Sequence, residues 1–286
     1  MTQPARYRFL LISAFSLPEG ASYRMRAFRG RKEDMLLNGA RLAPMLEGVE
    51  WDVHPGAPAT HGAFPVEMRE EFAITGVNRL PLVREACASG RWNAIVLLGG
   101  GDPGYVEARE IGHRHGVVVT ACAHAQMHAA CVLGHRFSII DISENHNLRM
   151  ADLVVQYRMV NHCASIRNVE FPLPRPAHAG RVNVQDESER HARGEPSAML
   201  DAAVNEAVSA IEEDGAESII LGCSAAYWLQ QPLQERLAGI GWDIPVLEGY
   251  SAAVAQAKML VDLGADASGL AFPKDPPPRT RRRKFV

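Results

Sequence analysis

Long apolar runs are absent from this chain. No stretch reaches the ~18 consecutive apolar residues of a membrane-spanning helix, so no membrane association is expected. No CxxC pair occurs among the five cysteines, Cys87, Cys122, Cys131, Cys163 and Cys223. Their odd number and scattered spacing argue against a disulfide framework and a structural zinc module, and point to a reducing, cytoplasmic setting. An excess of one charge is also lacking: 30 Lys and Arg stand against 33 Asp and Glu, leaving a net charge of −3. A dedicated nucleic-acid binder would carry a basic face, so no such partner is expected. The run Gly99-Gly100-Gly101 lacks the Lys-Ser/Thr that completes a nucleotide P-loop. Phe9 to Leu17, behind Arg6 and Arg8, is short and lacks a clean small-residue cleavage site, and reads as a first strand rather than a signal peptide.

What is present is a chain of 286 residues, 47% apolar and 22% charged, long enough for one large domain or two lobes. Short runs rich in Val, Ile and Leu alternate with segments of helical spacing. Phe9–Ser13, Ala94–Leu98, Val117–Thr120, Phe137–Asp141, Ser218–Leu221 and Pro245–Leu247 read as buried strands. Asp152–Tyr157, Ala198–Asp214, Pro232–Gly239 and Ala252–Leu263 read as helices between them. That alternation predicts an α/β fold with parallel sheets covered by helices. Such folds bind ligands at the carboxyl ends of their strands. Residues 174–197, rich in Pro, His, Arg, Gly and Glu, read as a long loop or an excursion between lobes. Residues 268–286 form a Pro-rich, basic tail, either solvated or packed on a neighbouring subunit.

Two stretches resemble each other. Ala94-Ile-Val-Leu-Leu-Gly-Gly-Gly, a helix, Gly116-Val-Val-Val-Thr and a helix ending at Leu133-Gly134 parallel Ser218-Ile-Ile-Leu-Gly-Cys-Ser, a helix, Ile244-Pro-Val-Leu and a helix ending at Leu263-Gly264. The overlay sets Cys223 opposite Gly99. Acid and base groups on opposite faces of a carbon can take a proton from one side and return it on the other. Cys223, after a buried strand and before a helix start at Ser224, is placed for such work, although a small buried thiol is an equal reading of position alone.

These residues carry a family resemblance. Gly101-Asp102-Pro103-Gly104, Leu133-Gly134-His135-Arg136-Phe137-Ser138, Cys163-Ala164-Ser165-Ile166-Arg167 and Gly215 through Cys223, in this order, resemble the aspartate/glutamate/hydantoin racemase superfamily, hydantoin racemase branch, over roughly residues 7–265. The resemblance implies two Rossmann-like lobes related by a pseudo-twofold axis, residues 1–134 with about 250–270 in one and 135–249 in the other, leaving 271–286 as the tail. It also implies a site between the lobes that needs no cofactor, paired cysteines as acid and base, a small-molecule substrate and a homo-oligomer. The chain departs from the pattern at three places. The first cysteine position is Gly99, an arrangement similar to arylmalonate decarboxylases, which keep one cysteine. Ala121-Cys122-Ala123-His124 stands where Gly-x-Gly-Glu is common. Asp141-Ile142-Ser143-Glu144-Asn145-His146 replaces a substrate-holding Thr-Thr pair.

The catalytic candidates are therefore Cys223 and His124, the latter standing in for the missing thiol with an imidazole suited to proton transfer near neutrality. The substrate-binding candidates are Gly99, Gly100 and Gly101, whose amides could hold a carboxylate or oxyanion, with Ser224, Asp141, Tyr250 and Ser13. His124 and His128, four residues apart, would suit zinc with Cys122 and Asp141 or His146, but the family holds no metal and none is expected. The reaction expected is racemase or isomerase chemistry on a small carboxylate or hydantoin-like ring. The alternatives are a one-sided reaction of the single cysteine, either decarboxylation or hydrolytic or desulfurising attack on a hydantoin or thiohydantoin ring, and a non-catalytic binding protein.

Overall fold

The computed structural model describes residues 5–23 and 32–281. In chain order the elements are β1 (Tyr7–Ile12), α1 (Gly39–Met45), β2 (Val49–His54), α2 (Arg69–Ala88), β3 (Ala94–Leu97), α3 (Tyr105–His115), β4 (Val118–Ala121) and α4 (Cys122–Leu133). There follow β5 (Phe137–Asp141), α5 (Glu144–Gln156), β6 (Cys163–Asn168), α6 (Val184–Ala192), α7 (Ala198–Glu212), β7 (Ser218–Leu221), α8 (Gln230–Gly239), β8 (Val246–Leu247) and α9 (Gly249–Asp262). Short 3-10 turns occupy Lys32–Met35, Pro176–His178 and Ser224–Leu229.

The strands form two four-stranded parallel sheets, ordered β2-β1-β3-β4 and β6-β5-β7-β8. The second order repeats the first with every strand number raised by four, so the two halves of the chain share one topology, as the internal repeat suggests. Strands covered on both faces are mostly apolar: every residue of β3, β4, β5 and β7 is buried, with Thr120, Ser138, Asp141 and Ser218 the polar exceptions. β2 and β6 lie at sheet edges and keep partly exposed positions, and their sequences, VEWDVH and CASIRN, are correspondingly polar. For that reason neither stands out as an apolar run.

The helices after the last strand of each sheet are exchanged. α4 leaves β4 of the first sheet, yet Ala123, Met127 and Ala130 pack with Phe137, Ile139 and Ile220 of the second. α9 leaves β8 of the second sheet, yet Tyr250, Ala253, Val254 and Ala257 pack with Phe9, Leu11, Ala94 and Val96 of the first. The alanine-rich faces of both helices allow this close seating, and each buried large apolar side chain beneath them contributes roughly 1.5–3 kcal/mol.

Residues 174–197 are not the loop expected of them. Asn183 accepts hydrogen bonds from the amides of Gln185 and Asp186, and the Asp186 carboxylate accepts the Asn183 amide at 2.9 Å. This capping box starts α6, whose Val184 is fully buried. The beginning of the tail and the residues before it lie against α3: the Asp266 carboxylate meets His113 Nδ1 at 2.9 Å, and within the tail Phe272 stacks under Arg109. Residues 282–286 of the tail lie outside the described residues. Among the described residues no helix is long and apolar enough to cross a membrane.

Candidate active site

A cavity of about 420 Å³ opens at the carboxyl ends of the strands, where Ser13, Gly99, Gly100, Cys223, Ser224 and Tyr250 come together. Its remaining wall is mostly apolar, with Phe15, Leu17, Val66, Phe72, Leu173 and Tyr227 among the lining side chains. Gly99 and Cys223 each stand two residues beyond their strand, β3 and β7 respectively.

The two turns touch through backbone. A Cβ on Gly100 would stand 2.9 Å from both the Gly222 carbonyl oxygen and the Ser224 nitrogen, so only glycine allows this approach. The Gly100 amide donates to Ser224 Oγ at 2.8 Å, and the same serine hydrogen-bonds the Tyr250 hydroxyl. Gly99 has φ +111°, and a Cβ there would stand 2.9 Å from Ala14 Cβ. The Gly99 amide is directed at the Cys122 sulfur. Two of the three amides expected to cradle an anion thus already have acceptors within the protein.

On the other side of the cavity Cys223 is 5% exposed and precedes the 3-10 turn at Ser224. Beside it lies a buried pair. Asp141 ends β5, the strand adjacent to β7, and its Oδ1 accepts the Ile142 amide at 2.8 Å. Its Oδ2 meets His146 Nδ1 at 2.7 Å, which leaves Nε2 of His146 free to face the Cys223 sulfur. Burial by itself pushes the His146 pKa down. The Asp141 carboxylate and the Cys223 sulfur outweigh it and hold the imidazole well above its ordinary value. The His146 ring therefore sits between the Asp141 carboxylate and the Cys223 sulfur.

His146 was not among the catalytic candidates from sequence. Its signal is local. Ser143 caps α5, accepting the His146 amide at 3.4 Å, and this places residue 146 on the first turn of a helix that follows a strand end. Asp141, expected to bind substrate, instead holds this histidine. His124 is not brought to the cavity. Its ring lies against Tyr105, His128 and Tyr157, with Nδ1 at 3.1 Å from the Tyr105 hydroxyl. Burial, His128 and Arg109 push its pKa down to about 3, which leaves it neutral near neutral pH.

The Gly101-Asp102-Pro103-Gly104 motif serves structure: the Asp102 carboxylate accepts the Ala123 and His124 amides at 2.8 Å each and caps α4. Gly99, Gly101 and Gly104 also spell GxGxxG between a strand and a helix. However, β4 ends at Ala121 where the ribose-binding acid of a dinucleotide site would stand, and Gly100 is closed against the opposite turn. The residues do not fit a dinucleotide. Cys122 directs its thiol at the Leu97 carbonyl at 3.6 Å. Among the described residues no three His, Cys, Asp or Glu side chains converge in a way that could hold a metal ion.

The family model Asp/Glu/Hydantoin racemase matches residues 59–257. A hydantoin racemase from Pseudomonas sp. (strain NS671) is 30% identical over 184 residues, 64% of this chain and 64% of that protein, so the match spans less than two thirds of the relative's length. A hydantoin racemase from Paenarthrobacter aurescens is 31% identical over 209 residues, 73% of this chain and 78% of that protein. Among solved structures, an allantoin racemase from Klebsiella pneumoniae superposes with a TM-score of 0.64 at 25% identity, covering 94% of both chains.

Proposed function

The chain belongs to the Asp/Glu/hydantoin racemase family, and from that premise we propose that Cys223 and His146 move a proton at the carbon next to a carbonyl of a hydantoin-like ring or a small carboxylate. The observation that carries this reading is the line from Asp141 through His146 to Cys223 at the edge of the cavity. An imidazolium is the neighbour that favours a thiolate. The thiolate takes the proton from carbon and leaves a planar enolate; the Cys223 thiol returns a proton to the same face, or to the other face after the enolate turns over in the cavity, and a water proton reaching the opposite face completes inversion as well. His146 keeps the sulfur's charge balanced and connects it to exchangeable protons, while Asp141 fixes the ring's orientation. Ser224, Tyr250 and Ser13 supply hydroxyls to the substrate's polar edge. His146 takes the part first expected of His124. The five cysteines are free, which fits work in a reducing compartment such as the cytoplasm.

A second reading is favoured by the same three residues, because nucleophile, base and orienting carboxylate are also the arrangement for acyl transfer. The Cys223 thiolate would add to a ring carbonyl, the C–N bond would break as His146 protonates the nitrogen, and water would then cleave the thioester.

The deciding experiment uses both enantiomers of 5-benzylhydantoin in D2O. Interconversion with deuterium entering at the ring carbon supports proton transfer. A product heavier by one water, with a transient adduct on Cys223, supports acyl transfer. Neither signal on hydantoins or arylmalonates overturns both readings.

A further inference from the structure

Proton abstraction leaves negative charge on a substrate oxygen, and the Gly99 and Gly100 amides are already engaged with Cys122 and Ser224. A different source of positive potential lies directly beneath them. Arg79, on α2, is fully buried. Its guanidinium donates to the carbonyl oxygens of Ile12 and Pro103 at 3.3 Å each, and to that of Leu98. Ile12 ends β1, while Leu98 and Pro103 flank the Gly99–Gly101 turn and line the cavity. The cation is thus one peptide layer away from the space that faces Cys223.

A buried guanidinium ordinarily has a carboxylate for a partner. This one has none hydrogen-bonded to it. The acidic groups whose charge reaches it are Cys122, Asp102 and Tyr250. Burial pushes Cys122 and Tyr250 well above their ordinary values, which leaves both neutral near neutral pH. Asp102 is pushed up as well, and its oxygens are taken by the Ala123 and His124 amides and the Tyr157 hydroxyl. Burial lowers Arg79 only to about 10, so it stays charged. Its Nε has no hydrogen-bond acceptor. Holding three backbone carbonyls needs donors but no charge, and an amide or hydroxyl would serve. Asp102 offsets the charge through space, with no hydrogen bond to the guanidinium, and an anion that enters the cavity meets what remains of it.

We propose that Arg79 is the positioning residue for the anionic state of the reaction: through three carbonyls it holds the Gly99–Gly101 turn in place, and its charge, hydrogen-bonded to no carboxylate, steadies the substrate oxygen that becomes negative opposite Cys223. This rests on the enolate-forming reading above and adds to it the group that stabilises the enolate. A guanidinium that only braced the loops would affect charged and neutral ligands alike.

The test compares wild type with Arg79→Met, Arg79→Gln and Arg79→Lys in the full chain, after circular dichroism has shown each to be folded. Should Arg79→Met not fold, Arg79→Gln, which keeps donors and loses the charge, makes the same comparison. The probes are barbiturate, a planar ring anion, and 5,5-dimethylhydantoin, a neutral ring of similar size. The expected result is barbiturate binding weakened about tenfold or more without the charge, 5,5-dimethylhydantoin binding changed less than twofold, and most of the loss recovered in Arg79→Lys. Equal loss for both probes, or no loss for either, overturns the proposal. A second measurement does not depend on ring binding: iodoacetamide alkylation of Cys223, located by peptide mass, followed against pH in the presence of its neighbours His146, Asp141 and Tyr250. The alkylation profile moves to higher pH in Arg79→Met and returns in Arg79→Lys; an unmoved profile counts against Arg79 even if the rings bind. If wild type binds neither ring while the profile moves, the ring substrate falls and the role of Arg79 stands.

Discussion

The turn after β3 and the turn after β7 occupy equivalent places in two sheets of the same strand order, yet one is bare backbone and the other carries a sulfur. The difference extends to how each is supported. Cys223 draws its partners from within its own sheet, since Asp141 ends the neighbouring strand β5 and hands His146 to it. The glycine turn offers close approach instead, with Gly100 against Gly222 and Ser224, and its charge comes from Arg79 below. On the proposed function one half transfers the proton while the other shapes the space and its potential. Pseudo-symmetry of fold therefore does not require symmetry of chemistry.

The largest test of this division is Cys223→Ala, which should reduce deuterium exchange at the substrate carbon on the order of a thousandfold. Activity within tenfold of wild type would show that the sulfur side does not carry the chemistry. Next is His146→Asn, for which a loss of about a hundredfold is expected. The same variant has a stability signature. The folded-state pKa of His146 lies above the unfolded value, so its pairing stabilises fully below about pH 6.5 and the contribution fades as pH rises toward the folded-state value. Wild-type melting temperatures should decline through that range, and His146→Asn should lack the decline.

Third, Gly99→Cys would place a thiol on both turns, but a side chain at φ +111° against Ala14 should cost about 1–3 kcal/mol. The expected result is a lowered melting temperature, partly relieved by Ala14→Gly, with no gain in interconversion. A stable, faster Gly99→Cys enzyme would mean that the glycine turn is only a vacated acid–base position. The smallest effect is expected from Ser224→Ala, which removes the acceptor of the Gly100 amide and should cost about 1 kcal/mol in chemical denaturation.

Much of this was legible in the residues. The buried strands β3, β4, β5 and β7 are short runs dominated by Val, Ile, Leu, Ala and Phe because helices cover both faces, and runs of that kind are the clearest signal a sequence offers. β2 and β6 escaped notice because edge strands need not be apolar, and α6 because its start depends on a capping box rather than a hydrophobic stripe. At the site, Ser13, Gly99, Gly100, Ser224, Tyr250 and Cys223 share one cavity. Strand-end position is dictated by topology, so these could be picked out in advance. Which imidazole reaches the sulfur was not legible. His124 and His146 both follow strand ends, and only packing shows that one turns into a cluster of tyrosines while the other meets Asp141.

The exchange of α4 and α9 between the sheets has a consequence for how the molecule comes apart. A fragment ending at Leu133 would carry a helix whose apolar face has no sheet to rest on, and a sheet left uncovered where α9 belongs. The expected outcome is that neither half folds by itself: calorimetry should record a single cooperative transition, and expressing the halves as separate polypeptides should give protein only when both are made together.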